Sequence, residues 1–298
     1  MTITAQVIAD SIADGCPRLT TLQLRYPRFI HAEARTHRII SMETQGVFEV
    51  GGDAGFMECD DLSRNASSSR AIPIDRVIQD VIDDTAMPIH WGANQRGMQA
   101  GEELPSGEDE WLAARDCAIY SARLLADRGY HKQIVNRILE PFQHINVLVT
   151  SSEWDNFFAL RDHPDAQPEM QRLAQVMREA MAGSEPDYMS DNEWHTPYIT
   201  ADDCFETEHE FNDGRTQSGE MIRRISAARC ASVSYKTVDG KPMTVDRALS
   251  IFDSLTGDPL HASPFEQIAR PDPDNGPGCR NFTGWHQWRS DLEERVNE

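Results

Sequence analysis

Between Arg64 and Arg70 the chain concentrates three hydroxyls (Ser67, Ser68, Ser69) and two guanidiniums, directly ahead of Pro73. A helical pattern follows at Ile74, Val77, Ile78, Val81 and Ile82. Proline suits a first helical turn. The backbone N–H groups and dipole at a helix start attract anions, and Ser and Arg side chains add hydrogen bonds and charge. The chemistry this spacing suits is the seating of a phosphate. The same serines also suit a helix cap, so the segment alone leaves both readings open.

The elements that must position this stretch follow from periodicity. Thr20–Tyr26 alternates Leu22 and Leu24 with polar neighbours and reads as a strand. The run from Pro27 to Ala34 reads either as its edge-strand continuation or as a helix start. Met42–Ser63, rich in Gly and acids, reads as a hairpin or flap inserted ahead of Arg64. Pro88–Ala100 reads as an ordered loop. Helices are predicted at Glu108–Asp127, Lys132–Leu139, Glu153–Arg161 and Pro168–Met181, with a strand at Gln143–Thr150. Ser184–Glu220 reads as a long surface connection. Beyond it the pattern predicts a helix at Gly219–Arg229, a short strand at Ala231–Lys236, a helix at Thr244–Leu255 capped by Thr244, and a helix within Asn281–Val296.

Composition narrows the functional classes. The 298 residues carry 28 Lys and Arg against 49 Asp and Glu, a net charge of −21. Binding to a nucleic-acid polymer requires a basic footprint that this chain lacks, whereas a free nucleotide in a local arginine pocket is compatible with it. The six cysteines form no C-x-x-C pair, so neither a zinc site nor a disulfide scaffold is indicated, and reduced thiols in the cytoplasm fit. No apolar run has the length of a membrane span, and the acidic N-terminus does not resemble a signal peptide.

Taken with His37-Arg38 upstream, the Arg64–Pro73 stretch resembles the signature of the flavin-dependent thymidylate synthases. In that signature Arg-His-Arg is followed three residues on by Ser and then by a Ser-x-Arg segment that seats the nucleotide phosphate. His37 and Arg38 fill the second and third places, Ser41 or Ser63 the first serine, and Ser68-Ser69-Arg70 the phosphate-binding end. Arg137-Ile-Leu-Glu-Pro141 is similar to the family's Arg-x-x-x-Pro helix end. Asn156-Phe-Phe-Ala-Leu-Arg161, followed by Gln167 and Glu169, is similar to its Asn-Phe-x-x-Leu-Arg segment.

Two further family motifs stand out of order. Ser232-Val-Ser234-Tyr235, the helix Thr244–Leu255 and His261-Ala-Ser263-Pro-Phe-Glu266 open the family's chains but come near the C-terminus here, an arrangement that resembles a circular permutation. The resemblance also departs at three points. Thr36 stands in the first Arg place, Ala66 replaces a common Glu, and Met42–Ser63 interrupts the signature.

The resemblance, which extends to phage-type members, implies an α+β fold with a central, mostly antiparallel sheet flanked by helices, assembled as a homotetramer. It divides the chain into a core (1–183, insertion 42–63), a connecting segment (184–219) and a permuted block (220–298). It implies FAD as cofactor, methylenetetrahydrofolate and NADPH as co-substrates, and dUMP or a related pyrimidine deoxynucleotide as substrate. Arg70, Arg137 and Arg161 would be catalytic; Ser68, Ser69, Arg70, Arg137, Arg161 and Glu33 would contact the nucleotide. His37, Arg38, Asn156, Ser234, His261 and Ser263 would contact the flavin. No metal is implied, and the protein would act in the cytoplasm, the host's if phage-encoded. The expected reaction is one-carbon transfer to C5 of dUMP, giving dTMP. The departures leave open hydroxymethylation of dUMP or dCMP, and a nucleotide- or flavin-binding relative without catalysis.

Overall fold

A computed structural model describes residues 3–35, 62–66, 72–210, 215–232 and 243–297. Its centre is a five-stranded sheet in the order β3-β4-β2-β1-β5, built from β1 (Thr4–Ala13), β2 (Cys16–Pro27), β3 (Ser63–Ala66), β4 (His144–Ser151) and β5 (Asp187–Tyr188). All pairings are antiparallel except β1 with β5. β1 and β2 form a hairpin whose tight turn uses Gly15 at φ +74°, a conformation open to glycine without a Cβ penalty.

The alternation expected of β2 is present and decides which face is core. Leu22, Leu24 and Tyr26, with Ile145, Val147 and Val149 of β4, point to one face. There they meet two helices, α5 (Asp155–Arg161) and α6 (Pro168–Ala182), through Phe157, Phe158, Met170, Leu173, Ala174 and Met177. Each fully buried aliphatic side chain here contributes about 2 kcal/mol of transfer free energy. β1 was not anticipated in the sequence. Its register slips between Val7 and Ala9 and again between Ser11 and Ala13, and such bulges erase a simple period of two.

After β2 the chain turns through a 3₁₀ segment, Arg28–Ile30, into the short helix α1 (His31–Arg35), so the run to Ala34 is helical rather than an edge strand. A second layer packs α2 (Ile74–Asp83), α3 (Glu108–Asp127), α4 (Lys132–Val135) and the 3₁₀ segment Asn136–Phe142 around Val77, Ile78, Val81, Ile119, Val135, Leu139 and Phe142. The helix expected to run to Leu139 changes to 3₁₀ geometry at Asn136, ahead of Pro141, which has no N–H to donate. Pro88–Ala100 is an ordered loop, bridged at Gly92 to Glu103.

The Ser184–Glu220 tract is not a surface connection. It supplies β5, a fully buried His195, and α7 (Ala201–Glu210), and α8 (Arg215–Ala231) begins within it. Ala231, expected in a strand, ends α8, and 233–236 lie outside the described residues. α9 (Val245–Leu255) is capped as expected, Thr244 Oγ1 accepting from the Arg247 N–H. The predicted C-terminal helix begins later than expected. Trp285–Gln287 forms β7, paired with β6 (Ala269–Pro271), and only then does α10 (Trp288–Asn297) start.

The opposite face of the sheet is covered by this C-terminal part through a continuous buried hydrogen-bond chain. Ser11 Oγ and Thr21 Oγ1 bond the two ring nitrogens of His195 at 2.8 and 2.7 Å. Thr21 meets Thr150 at 2.7 Å, and Thr150 donates to Gln267 Oε1 at 2.6 Å. Gln267 Nε2 donates to Ser63 Oγ at 3.1 Å, and Ser63 donates to Glu266 Oε2 at 2.6 Å. Arg289 closes the chain on Glu266 Oε1. Since Thr150 gives its proton to Gln267, Thr21 donates to Thr150 and His195 Nε2–H donates to Thr21, while Nδ1 can accept from the Ser11 hydroxyl. That is a neutral imidazole. Burial independently favours it, pushing the His195 pKa down to about 3.

Candidate functional site

A buried charged cluster lies where β2 ends. Tyr26 and His31 are linked by a 2.9 Å hydrogen bond between the phenolic oxygen and Nδ1, which fixes the entry into α1. Glu33 follows on α1. The α5 sequence buries Phe157, Phe158 and Arg161 on one stripe, so Arg161 is drawn inward at the C-terminal end of α5, where its charge complements the helix dipole. Arg161 Nη1 donates to Glu33 Oε1 at 2.6 Å. α6 starts with Pro168 in its first turn, and the next residue, Glu169, is 3% exposed. Its carboxylate accepts the Ile89 N–H at 2.9 Å, tying the 88–100 loop to the helix start.

Glu33 thus meets the Arg161 guanidinium directly and feels the charge of a second carboxylate, Glu169. Burial raises the Glu33 pKa, Arg161 opposes the shift and the Glu169 charge adds to it, with a net rise. Burial lowers that of Arg161, against the pull of Glu33. A guanidinium held by one carboxylate at such a place is an oriented cationic donor, suited to a carbonyl or phosphate oxygen.

Beside it opens a small, mostly apolar crevice of about 320 Å³ including its mouth, lined by Tyr26, Ala34, Leu62, Arg64, Trp154 and Phe157 among others. Arg64 brings a cation from the edge strand β3 to its wall. A wider groove of about 880 Å³, likewise including its mouth, lies at the other end of α5, around Arg18, Thr20, Ser152, Glu153 and Asp155. Its arginine is already engaged by Asp10 at 2.8 and 2.5 Å, which leaves it poorly suited to a phosphate.

The structure therefore joins Glu33 to Arg161 and sets Asn156, half-buried, on the same helix. Arg137 is exposed on the Asn136–Phe142 segment, in the layer of α2 and α3. His261 and Ser263 are exposed at the start of the Ser263–Gln267 turn. His37, Arg38, Ser68, Ser69, Arg70 and Ser234 lie outside the described residues, as do Ser41 and most of the insertion. What flanks the expected phosphate segment is described: Arg64, Asn65 and Ala66 belong to β3, and α2 begins at Ile74 with Pro73 at the N-cap and no side-chain cap. Pro73 thus sits one place before the first helical residue, and none of the serines holds the N-cap position.

Sequence reasoning missed Arg64 as a wall of the crevice, and Gln267 and His195 as the ties between β3, β4, β2 and β1. Nothing in the local pattern around His195, in a tract of acids, Ser, Thr and Pro, signals burial. The contact of Ser63 with Glu266 is another matter, because the His261-Ala-Ser263-Pro-Phe-Glu266 turn was singled out by its motif and Ser63 by its place in the signature.

Asn156, on α5, and His261 and Ser263, at the Ser263–Gln267 turn of the C-terminal part, carry an amide, an imidazole and a hydroxyl. Among the described residues no group of His, Cys, Asp and Glu is arranged to hold a metal. Nor, among the described residues, is any helix long and apolar enough to cross a membrane.

No protein-family model and no curated protein matches the chain. Among solved structures it is similar to the UMP/dUMP methylase PolB from Streptomyces cacaoi bound with 5-Br dUMP. That match has 14% identity and a TM-score of 0.43, covering 61% of this chain and 90% of that one. It is also similar to Thymidylate Synthase X from Helicobacter pylori with FAD and dUMP, at 14% identity and a TM-score of 0.34, covering 55% and 67%.

Proposed function

We propose that the chain is a flavin- and folate-dependent enzyme that transfers a one-carbon unit to C5 of dUMP, giving dTMP, from a circularly permuted member of the flavin-dependent thymidylate synthase type. The observation that carries this reading is the contact of Ser63 with Glu266 and Gln267, at 2.6 and 3.1 Å. It docks the displaced Ser263-Pro-Phe-Glu-Gln turn on the strand that runs into the phosphate segment, although the two are some two hundred residues apart in sequence. A permuted chain requires that junction, and a C-terminal block folded as a separate domain would lack it.

In this reading Ser68, Ser69 and Arg70 hold the phosphate through charge-assisted hydrogen bonds. Arg161, oriented by Glu33, donates to the pyrimidine and stabilises negative charge developing on a carbonyl oxygen as C5 becomes nucleophilic. His37, Arg38, Asn156, Ser234, His261 and Ser263 hold FAD, which when bound supplies the redox and carrier chemistry that the side chains lack. Arg137 serves the site of a neighbouring subunit in a homotetramer. The exposed apolar stripe of Tyr120, Leu124, Tyr130 and Ile134, immediately before it in sequence, supports such an assembly.

The test is to purify the protein, look for flavin absorbance, and incubate it with dUMP, methylenetetrahydrofolate and NADPH before mass analysis of the nucleotide. A gain of about 14 Da is expected, and about 30 Da would assign hydroxymethyl transfer instead. Bound flavin with no modified nucleotide, on dUMP and on dCMP, would exclude both reactions.

A further inference from the structure

The 20-residue helix α3 has two apolar faces, and the core uses one of them. Trp111, Ala118, Ile119, Ala122, Leu125 and Ala126 pack into the layer formed with α2 and the Asn136–Phe142 segment. On the opposite face Ala113, Cys117, Tyr120 and Leu124 recur at spacings of four, three and four, and all are exposed, Tyr120 by 66%. Such spacing sets the four side chains in one stripe along the helix. An outward stripe that includes Tyr and Leu is the kind of surface that a partner covers.

The charges beside the stripe say which partner. Glu110 and Arg128 are 18 residues apart, about five whole turns, so they border the same edge of the stripe at its two ends. Asp116 and Arg123, seven residues or about two turns apart, border the other edge. Glu110, Arg123 and Arg128 are exposed and join no ion pair among the described residues. Asp116 meets its neighbour Arg115 at 2.8 Å through Oδ1, and its side chain stays 64% exposed. When two such helices pack antiparallel about a two-fold axis, each edge meets the same edge of the other copy in reverse order. Glu110 then faces Arg128 of the second copy, and Asp116 faces its Arg123. Both pairs and the apolar stripe have midpoints within one residue of Ile119, so a single register serves all three. A parallel pair would set every charge against its own duplicate. Asp109 and Asp127 also border the Asp116 edge, which makes the Glu110–Arg128 edge the cleaner of the two. In a chain of net charge −21, two copies repel unless their contact is locally complementary. A face with acid at one end and base at the other complements itself turned end for end, and no uniformly charged surface matches it.

We propose that α3 pairs antiparallel with α3 of a second copy of this chain across the Ala113–Leu124 stripe, with Glu110 of each copy opposite Arg128 of the other. The pairing gives a place and a register to one contact of the homotetramer proposed above. It rests on that reading for self-association alone and does not depend on the one-carbon reaction.

The experiment is sedimentation of the full chain at low ionic strength, where exposed charges are least screened. It compares the wild type with Glu110→Arg, Arg128→Glu, the double exchange, and a one-to-one mixture of the two single variants, with circular dichroism as the check on helix content. Each single exchange sets like charges together in both halves of the two-fold contact and is expected to raise the concentration at which the assembly splits by about tenfold or more. The double exchange recreates opposite charges and is expected to return to within about threefold of wild type. The mixture is expected to associate between the two variants. Within one helix the two positions are about 27 Å apart, so rescue acts only between copies. Association unchanged by both single exchanges, or a loss that neither the double exchange nor the mixture rescues, would overturn the pairing and leave the assembly standing. A wild type that sediments as a monomer would overturn both.

Discussion

Two buried polar assemblies sit on opposite faces of the same sheet and are built on different principles. The chain from Ser11 through His195, Thr21, Thr150, Gln267 and Ser63 to Glu266 is made mostly of neutral groups, each with a donor or acceptor matched to its neighbour. The Glu33–Arg161 pair carries full charges, and burial, with the Glu169 charge adding to it, raises Glu33. A satisfied network fixes a single arrangement of distant segments, because any slip leaves a buried group unpaired. A charged pair whose carboxylate is pushed up by burial is the kind of group that clusters at functional sites. On the proposed reading, the contrast separates residues that tie the C-terminal part to the sheet from residues that would meet a substrate.

Acid is the widest lever on this contrast. His195 has a depressed folded pKa, so its contribution is fully present above about 6.5 and is lost as the pH falls through about 3. Over that window the protein should lose roughly 1.4 kcal/mol per pH unit through this residue. Urea midpoints measured from pH 7 to 4 should fall steeply in wild type and more gently in His195→Asn; parallel acid limbs would contradict a neutral imidazole. Next in size, Glu266→Gln should cost about 3 kcal/mol at neutral pH, since it strips the buried end of the network and leaves Arg289 with Glu293 alone. A urea midpoint within error of wild type would show that the C-terminal block is held by its apolar contacts instead.

On the other face the effects fall on binding. Arg161→Gln should weaken dUMP by about 1.5–3 kcal/mol in a calorimetric titration, and an unchanged affinity would return the ion pair to a purely structural role. The smallest effect is on Glu33. Its folded pKa is raised, so its contribution is present below the ordinary value near 4.5 and is lost as the pH rises through the folded one. Wild type should therefore lose stability relative to Glu33→Gln over that rise, a trend opposite in sign to that of His195. Equal slopes would mean that Glu33 is not strained by burial and Glu169.

How much of this was legible in the sequence depended on whether local pattern and tertiary role coincided. α3 and α9 match their predicted spans because an amphipathic period and, for α9, a capping threonine act locally. β1 was hidden by its register shifts, and the β7–α10 boundary by Trp285 and Trp288 sharing a helical spacing while lying in different elements. At the site, Arg161 and Glu33 were legible only through motif, since nothing local distinguishes a buried ion pair from a surface one. His195 was illegible because its burial is decided by Ser11 and Thr21, residues more than 170 positions away.

The most direct test of a nucleotide pocket is a calorimetric comparison of dUMP with deoxyuridine on the same protein preparation. A phosphate seat at Ser68–Arg70 predicts that dUMP binds and that deoxyuridine binds at least about tenfold more weakly, the loss expected when charge-assisted contacts are removed. Equal affinity for the two, or no heat with dUMP at millimolar concentration, would contradict it.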